Sequence, residues 1–304
     1  MLGSMCYWIF NMSIVASFMG LLVLLIRRIR SIPRRVLVFL WAIPFLRMCF
    51  PLGINSKYSL MSLISRFTMR TVTVYHPTDD ISMSFSNVLR QADSYSPVTF
   101  KDVLQRNVFG IAGLIWLIGA ISILLVLITL YVATMREIRD ASLLSGNVYL
   151  SSKVGSPAVY GILRPRIILP ESYADHDLKY ILRHEQTHIR RVDNLWRLLG
   201  FLAAAIHWFN PLTWVFLKAF LSDLELACDE SAVAAYSAEE RKDYATALLD
   251  SAKSRSLFVS AFGGAKVRTR IENVLSYKKM TAISTAGFTI LILAIMYTLL
   301  TNAG

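Results

Sequence analysis

Two histidines and a glutamate in the second half of the chain have the spacing of a zinc-peptidase site. His184, Glu185 and His188 form the pattern His-Glu-x-x-His, with helix-forming residues on both sides. Because residues four apart lie one turn above each other on a helix, His184 and His188 point the same way and can share one Zn²⁺ ion. Glu185 lies about 100° further round, where it can act as a general base on a metal-bound water. The pattern therefore predicts hydrolysis of a peptide bond, and its structural alternative is a surface helix with solvated histidines.

A catalytic zinc needs a third protein ligand, and the next helical run offers one. This run begins at Pro211, and Glu225 and Asp229 lie four residues apart on one face of it. Glu225 would complete a His-His-Glu ligand set, and Asp229 would accept a hydrogen bond from the far nitrogen of a ligand histidine. Cys228 is interpreted as a small buried residue that points away from Glu225. Acids that form a solvated face are the alternative, but here they interrupt an apolar helix, which favours the metal site.

The composition is that of a membrane protein. Of the 304 residues, 55% are hydrophobic and 17% are charged, which argues against a wholly soluble protein. The net charge is +12, and five arginines lie within residues 27–35, directly after an apolar run. Charge in that place indicates membrane topology rather than nucleic-acid binding. The sequence therefore predicts membrane lipid as a partner and no direct contact with nucleic acid.

Four apolar segments approach or exceed the length that crosses a bilayer, namely residues 7–26, 36–53, 108–134 and 281–300. The first could instead be a signal peptide, but its basic residues follow it and a second apolar segment comes at once, so a membrane anchor is favoured. Basic flanks place the short loop 27–35 in the cytoplasm. Both the N-terminus and the C-terminus are then outside the plasma membrane.

These spans divide the chain into five parts. They are transmembrane helices 1 and 2 in residues 1–53, an extracellular loop in 54–107, transmembrane helix 3 in 108–134, a cytoplasmic zinc-peptidase domain in 135–280, and transmembrane helix 4 with a short outer tail in 281–304. The predicted fold is thus a multi-pass α-helical membrane protein with a cytoplasmic α+β domain.

Three short β-type runs precede the catalytic helix, at residues 147–150, 158–162 and 166–170. An edge strand of such a sheet could bind an extended substrate, or the sheet could be purely structural. Residues 198–205 and 211–221 form an apolar hairpin whose arms are too short to cross a bilayer, and we expect it to bury against the zinc helix and to reach the inner leaflet.

Together these features resemble the BlaR/MecR-type integral-membrane zinc peptidases, the transducers of β-lactam resistance signalling. The resemblance is carried by the order of the spans and by four motifs, Ser156-Pro157…Gly161…Pro165…Leu169-Pro170, His184–His188, 207–211 and Glu225-x-x-Cys228-Asp229. It implies a gluzincin fold in which His184, His188 and Glu225 bind zinc and Glu185 is the general base. It further implies cytoplasmic cleavage, or control, of a winged-helix transcriptional repressor.

The resemblance also implies self-cleavage after the zinc helices. The loop from Ser256 to Gly264 is the expected place, although a plain linker is the alternative. The residues considered there are Ser256, Leu257, Phe258, Ser260, Ala261 and Phe262. Antibiotic-sensing members of the family carry a penicillin-binding domain after the fourth span, and this sequence ends at Gly304. Direct β-lactam sensing is therefore not expected.

Several alternatives stay open at the level of sequence. A non-proteolytic transducer could use the zinc fold to dock a repressor, and a general quality-control gluzincin would cleave many unfolded membrane proteins. Tyr236, Tyr244 and His207 are candidates for the group that stabilises the oxyanion, although His207 is favoured as a structural turn residue. A homo-oligomer is compatible with the sequence.

Overall fold

The chain folds mainly into helices, with one four-stranded sheet and a parallel pair of two-residue strands, Asn55–Ser56 and Asn302–Ala303. A computed structural model describes residues 2–29, 32–49, 55–56, 102–173, 178–251 and 265–277, together with some positions between 287 and 303. Its helices are α1 (Leu2–Ile26), α2 (Arg34–Cys49), α3 (Asp102–Glu137), α4 (Lys179–Arg190), α5 (Asp193–Ile206), α6 (Pro211–Ala232), α7 (Ala238–Ser251) and α8 (Val267–Leu275). The predicted self-cleavage loop, Ser256 to Phe262, and nearly all of the predicted outer loop lie outside the described residues.

Two of the described helices are long and apolar enough to cross a membrane. They are Leu2–Ile26 with 25 residues and Val108–Glu137 with 30 residues. The predicted second span corresponds to α2, whose 16 residues are fewer than the roughly 20 that a span needs. Most of the predicted fourth span lies outside the described residues. Two candidate membrane helices are therefore what the described part of the chain provides.

Helices α1, α2, α5 and α6 share one hydrophobic core. Phe216 and Phe220 of α6 pack against Trp41 and Phe45 of α2, with ring centroids 5.8 Å and 5.2 Å apart for Trp41–Phe216 and Phe45–Phe220. All four side chains are almost fully buried. Val15, Met19 and Val23 of α1 lie in the same buried cluster, so the α5–α6 hairpin shares its core with α1. Large aromatic side chains buried in this way are a main source of packing energy.

Two glycines on the candidate membrane helices admit aromatic side chains of this hairpin. A Cβ atom at Gly20 of α1 would overlap the ring of Phe216, and one at Gly119 of α3 would overlap the ring of Trp208. Small residues at such positions let membrane helices approach closely. The hairpin thus packs directly against both candidate membrane helices.

The turn of the hairpin is held by polar groups of the same helices. Asn210 donates hydrogen bonds to the hydroxyls of Ser13 and Ser17 at 2.7 Å and 2.8 Å. Its own side-chain oxygen accepts from the backbone N–H of Leu212 at 3.0 Å and caps α6, and Pro211 fits the first helical position. His207 contacts the Met48 carbonyl oxygen through Nε2 at 3.1 Å. The turn therefore lies beside the middle of α1, deeper among these helices than the sequence indicated.

A buried carboxylate joins α6 to the segment between α1 and α2. Asp223 has no exposed surface, and Arg27 donates from Nε to both of its oxygens at 2.8–2.9 Å. Arg34 Nη1 and Trp41 Nε1 add bonds of 3.3 Å and 3.0 Å. Two turns further along α6, Glu230 accepts hydrogen bonds from the first two backbone N–H groups of α2. The basic segment predicted to be cytoplasmic is thus fixed to α6.

The sheet is mixed and supports α4. Its strands are β1 (Ser142–Ser145), β2 (Val148–Ser151), β3 (Ala158–Tyr160) and β4 (Arg166–Pro170), in the order β1-β2-β4-β3. β2 and β4 are parallel, and the outer strands are antiparallel to them. Ile167 and Leu169 of β4 are buried against apolar side chains of α4. Three of the strands confirm the predicted β-type runs, whereas β1 was not predicted.

Candidate metal centre

The two imidazoles of α4 face each other inside the protein. Hydrophobic side chains of α4 face the sheet, and His184 and His188 are buried on the side towards α6. Their Nε2 atoms are 3.2 Å apart. Two nitrogens bound to one tetrahedral zinc at about 2.05 Å would lie about 3.3 Å apart. The spacing of the two nitrogens therefore fits a shared zinc ion.

The carboxylate of Glu225 lies close to both imidazoles. Its Oε2 lies 3.9 Å from His184 Nε2, and its Oε1 lies 3.8 Å from His188 Nε2. Arg197 of α5 holds the same carboxylate at 2.7 Å, and Arg270 lies 3.6 Å away. Burial would raise the pKa of Glu225, but the positive charges of His188, Arg270 and Arg197 outweigh it and lower the pKa to about 2. The carboxylate is thus ionised, as a metal ligand must be.

Asp193, which the sequence reasoning missed, orients the second histidine. Its Oδ2 lies 2.6 Å from His188 Nδ1, and its carboxylate is fully buried. Because a carboxylate only accepts, Nδ1 carries a hydrogen and Nε2 is the nitrogen that faces the site. Burial would lower the pKa of His188, but Cys228 and Glu225 beside it, with Asp193, raise it to about 9. Without a metal ion the imidazole is therefore protonated at neutral pH, and a metal ion that binds Nε2 would displace the proton from that nitrogen.

A strained turn puts Asp193 in this position. Val192, between α4 and α5, has φ = +56°, in the left-handed region that β-branched residues rarely adopt. Arg191, the residue before it, donates to Asp193 at 3.1 Å and to the Ala227 carbonyl at 2.7 Å. Such strain costs about 1–3 kcal/mol and is typical of functional sites. The turn lets Asp193 fold back onto a histidine only five residues earlier.

Removal of this orienting carboxylate is expected to weaken metal binding. Asp193→Ala should lower zinc affinity by about 10–100-fold, because His188 loses the partner that fixes its tautomer and ring orientation. Competition with a chromophoric chelator on the purified chain measures the change. Asp243→Ala, at an exposed position on α7, is the matched control and should leave affinity unchanged. Equal affinities for the two variants would contradict the role given to Asp193.

The predicted role of Asp229 is carried largely through a tyrosine. Asp229 Oδ1 lies 3.3 Å from His184 Nδ1, but Tyr244 Oη lies closer to that nitrogen, at 2.8 Å, and donates to Asp229 at 2.8 Å. Burial would raise the pKa of Asp229, and its contacts with Arg270 lower it well below the usual range. Tyr244 is 1% exposed and is occupied by these two bonds, so it does not face a substrate.

Cys228 is buried, as the sequence predicted, but it lies beside the histidines rather than pointing away from the site. Its thiol is fully buried, 3.6 Å from His184 Nδ1 and 3.5 Å from the His184 carbonyl. His184, His188 and Cys228 form a group whose ligand atoms lie within 4.8 Å of one another. Three residues turn a helix by about 300°, which leaves Cys228 only about 60° from Glu225. Both residues therefore face α4, and the argument that Cys228 points away was wrong.

Glu185 is buried beside His184 and is unengaged. Among the described residues, no hydrogen bond or ion pair involves its carboxylate, and it is 7% exposed. A carboxylate in this state suits a group that must accept a proton during a reaction.

His207 and Tyr236, the two remaining candidates for the group that stabilises the oxyanion, are less suitable for that role. His207 lies at the far end of α5, about 20 Å from Asp193 at 1.5 Å per residue, and Tyr236 packs on the rings of Tyr180 and Tyr244.

The chain is similar in sequence to known proteins. The profile of the BlaR1 peptidase M56 family matches residues 7–274. The regulatory protein BlaR1 of Bacillus licheniformis is 35% identical over 82 residues, covering 26% of this chain and 14% of that protein. The methicillin resistance mecR1 protein of Staphylococcus aureus is 24% identical over 216 residues, covering 61% of this chain and 36% of the relative. BlaR1 of Staphylococcus aureus is 25% identical over 158 residues, covering 47% and 27%.

The matched regions span little more than a third of the length of these relatives, or less. The family match, in contrast, covers most of this chain and includes the buried histidines and the carboxylate that converges on them. Together with the two candidate membrane helices, these similarities indicate a membrane protein. The chain belongs to the BlaR1 peptidase M56 family, a family of metallopeptidases.

Proposed function

We propose that this protein is a membrane-embedded zinc endopeptidase that transduces a signal by hydrolysing peptide bonds on the cytoplasmic side of the membrane. The observation that carries the proposal is the convergence of His184 Nε2, His188 Nε2 and the Glu225 carboxylate within 4 Å in a buried site. These three groups would bind zinc and leave a position open. Glu185, next to His184 in the sequence, supplies the base.

The chemistry follows from the roles of the side chains. Bound zinc lowers the pKa of a water to about 7 and polarises the scissile carbonyl. Glu185 accepts the proton of the attacking water and donates it to the leaving amine. Asp193 holds His188, while Tyr244 and Asp229 hold His184. The proposed fold is that of a gluzincin.

The charge distribution supports a cytoplasmic site. Arg27 and Arg34, in the basic segment that follows α1, bond to Asp223, which is two residues before Glu225. The site therefore lies at the level of the residues that the positive-inside rule assigns to the cytoplasm. In this topology both chain termini are outside, and residues 135–280 are the peptidase domain.

The sheet edge next to the site supports an extended substrate. β3 is an edge strand, and Asn194 at the start of α5 donates to the Gly161 carbonyl at 2.8 Å and contacts the Val159 carbonyl at 3.4 Å. This holds the edge against the helices of the metal centre. We propose a protein substrate, a winged-helix repressor or the loop at Ser256–Phe262 of the chain itself. Support comes from relatives named as regulatory and methicillin resistance proteins.

The test is cleavage by the purified chain in lipid nanodiscs. The chain is freed of metal with a chelator and incubated with and without added Zn²⁺, alone and with a winged-helix repressor, and fragments are identified by terminal sequencing. Zinc-dependent fragments with defined ends support the proposal. Repressor binding without any fragment would favour the docking alternative. Zinc-dependent cleavage of many unfolded membrane proteins, without preference for the repressor, would favour quality control.

A further inference from the structure

A guanidinium from α8 reaches into the metal centre. Arg270 of α8 is 8% exposed, and it donates from Nε to Asp229 Oδ2 at 2.7 Å and from Nη2 to Asp229 Oδ1 at 2.8 Å. The same Nη2 lies 3.0 Å from His184 Nε2, and Nη1 lies 3.6 Å from Glu225. One side chain therefore contacts two of the proposed zinc ligands and the acid behind them.

We propose that Arg270 is a positioning residue of the metal centre, which fixes Asp229 and through it the tautomer and orientation of His184. The inference rests on the proposed zinc site and concerns how the chain prepares that site. Arg270 lies 45 residues after Glu225 in the sequence, in a helix that carries no metal-site motif. Neither local spacing nor the family motif points to it.

The hydrogen-bond roles in this cluster allow one consistent arrangement. Arginine only donates, so the contact of Arg270 Nη2 with His184 makes His184 Nε2 the acceptor. His184 Nδ1 then carries the hydrogen and donates to Tyr244 Oη, and Tyr244 donates to Asp229. In this arrangement the lone pair of His184 Nε2, the nitrogen that faces His188 and Glu225, accepts from Arg270 and is the lone pair that a metal ion would take over. The bonds from Arg270 and Tyr244 to Asp229 thus keep the hydrogen of His184 on Nδ1, as a ligand that binds through Nε2 needs.

The same contacts keep Asp229 from acting as a competing ligand. Asp229 is fully buried, and a buried carboxylate without a partner would bind the nearest cation. Arg270 engages both of its oxygens, and Tyr244 engages one of them as well. A carboxylate satisfied in this way stays a hydrogen-bond acceptor. One position of the proposed metal then remains open for water and substrate.

The packing of α8 fixes where the guanidinium sits. Val274 is fully buried in a cluster with Ala232 of α6 and with Tyr244 and Leu248 of α7, so α8 is held against both helices. Arg268, two residues before Arg270, faces solvent with a side chain that is 90% exposed and is paired with Glu272. The helix therefore offers an arginine of the same charge that does not contact the site, as a matched control.

The experiment compares Arg270→Ala, Arg270→Lys and Arg268→Ala in the full-length chain. Zinc affinity is measured by chelator competition, and the geometry of the site by the visible absorption of bound Co²⁺. Arg270→Ala should lower zinc affinity about 10–100-fold and alter the Co²⁺ spectrum. Arg270→Lys keeps the charge but cannot hold both oxygens, so it should fall between Arg270→Ala and the unchanged chain. Arg268→Ala should match the unchanged chain in both measurements.

Two results would overturn the inference. One is unchanged affinity and an unchanged Co²⁺ spectrum in Arg270→Ala, which would leave Arg270 a role in folding alone. If Arg270→Ala does not fold, an Arg270→Lys variant with unaltered affinity and spectrum has the same meaning. The proposed function fails separately, if the unchanged chain binds zinc but cleaves nothing. The affinity and spectral readouts stay informative in that case.

Discussion

Glu185→Gln is expected to slow peptide hydrolysis by about 10²–10⁴-fold while zinc stays bound, because the amide cannot accept the proton of the attacking water. Glutamine has nearly the same shape, and the carboxylate it replaces makes no hydrogen bond or ion pair among the described residues. Folding and metal affinity should therefore be preserved. The measurement pairs the rate of fragment release with zinc content determined on the same samples.

His184→Ala is the matched comparison for this prediction. It removes an imidazole whose Nε2 lies 3.2 Å from the partner nitrogen of His188, so zinc content as well as cleavage should be lost. Glu185→Gln should lose cleavage and keep zinc, whereas His184→Ala should lose both. This difference distinguishes the general base from a metal ligand. Full activity in Glu185→Gln would end the assignment of Glu185 as the base.

Asp223→Ala is expected to destabilise the whole helical core by about 3 kcal/mol. Its carboxylate is fully buried and accepts bonds from Arg27, Arg34 and Trp41. Breaking a buried ion pair costs about 3–5 kcal/mol, and the lower value applies because the Arg27 and Arg34 side chains are 31% and 22% exposed. This corresponds to a fall of roughly 5–10 °C in the midpoint of thermal unfolding in detergent.

An exposed ion pair supplies the control for this measurement. Asp140 pairs with Lys153 at 2.9 Å, and its side chain is 75% exposed. Asp140→Ala should change the midpoint little, because exposed pairs contribute at most about 1 kcal/mol. If both variants unfold at the same temperature, the junction around Asp223 does not contribute to stability as described.

The metal ligands were predicted from helical spacing, which can be read directly from a sequence. His184 and His188 are one helical turn apart on α4, and Glu225 lies on α6, two helices later. The helical spacing of these residues indicated that they could converge. The structure brings all three within 4 Å. Their assignment as zinc ligands stays a prediction until metal is measured.

The positions of Asp193 and Arg270 depend on features that helical periodicity does not show. Asp193 reaches His188 only because Val192 adopts a left-handed backbone conformation, which is unusual for a β-branched residue. Arg270 comes from α8, a helix later in the chain that packs against α6 and α7. The direction of Cys228 was predicted wrongly because a helical face includes residues three apart as well as residues four apart. Long-range packing and strained turns therefore account for what the sequence analysis missed.

The depth of the α5–α6 hairpin was underestimated for a similar reason. Apolar arms at residues 198–205 and 211–221 predicted burial, but the sequence does not show which surface covers them. In the structure the covering surfaces are α1, α2 and α3, through Gly20, Gly119 and the aromatic side chains of α2. Strand positions, which alternate locally, were predicted to within two residues for β2, β3 and β4.

Asp223 divides α6 into a long part towards Pro211 and a short part that reaches Glu225. If α6 moves as a rigid rod held at Asp223, its beginning at Pro211 lies about 18 Å from the pivot, whereas Glu225 lies only about 3 Å beyond it along the axis, at 1.5 Å per residue. A sideways shift of the hairpin turn would thus reach Glu225 reduced about six-fold. A shift of Arg27 and Arg34 displaces the pivot itself and reaches Glu225 nearly undiminished. With this geometry, a given shift of Arg27 and Arg34 would displace Glu225 more than the same shift of the hairpin turn would.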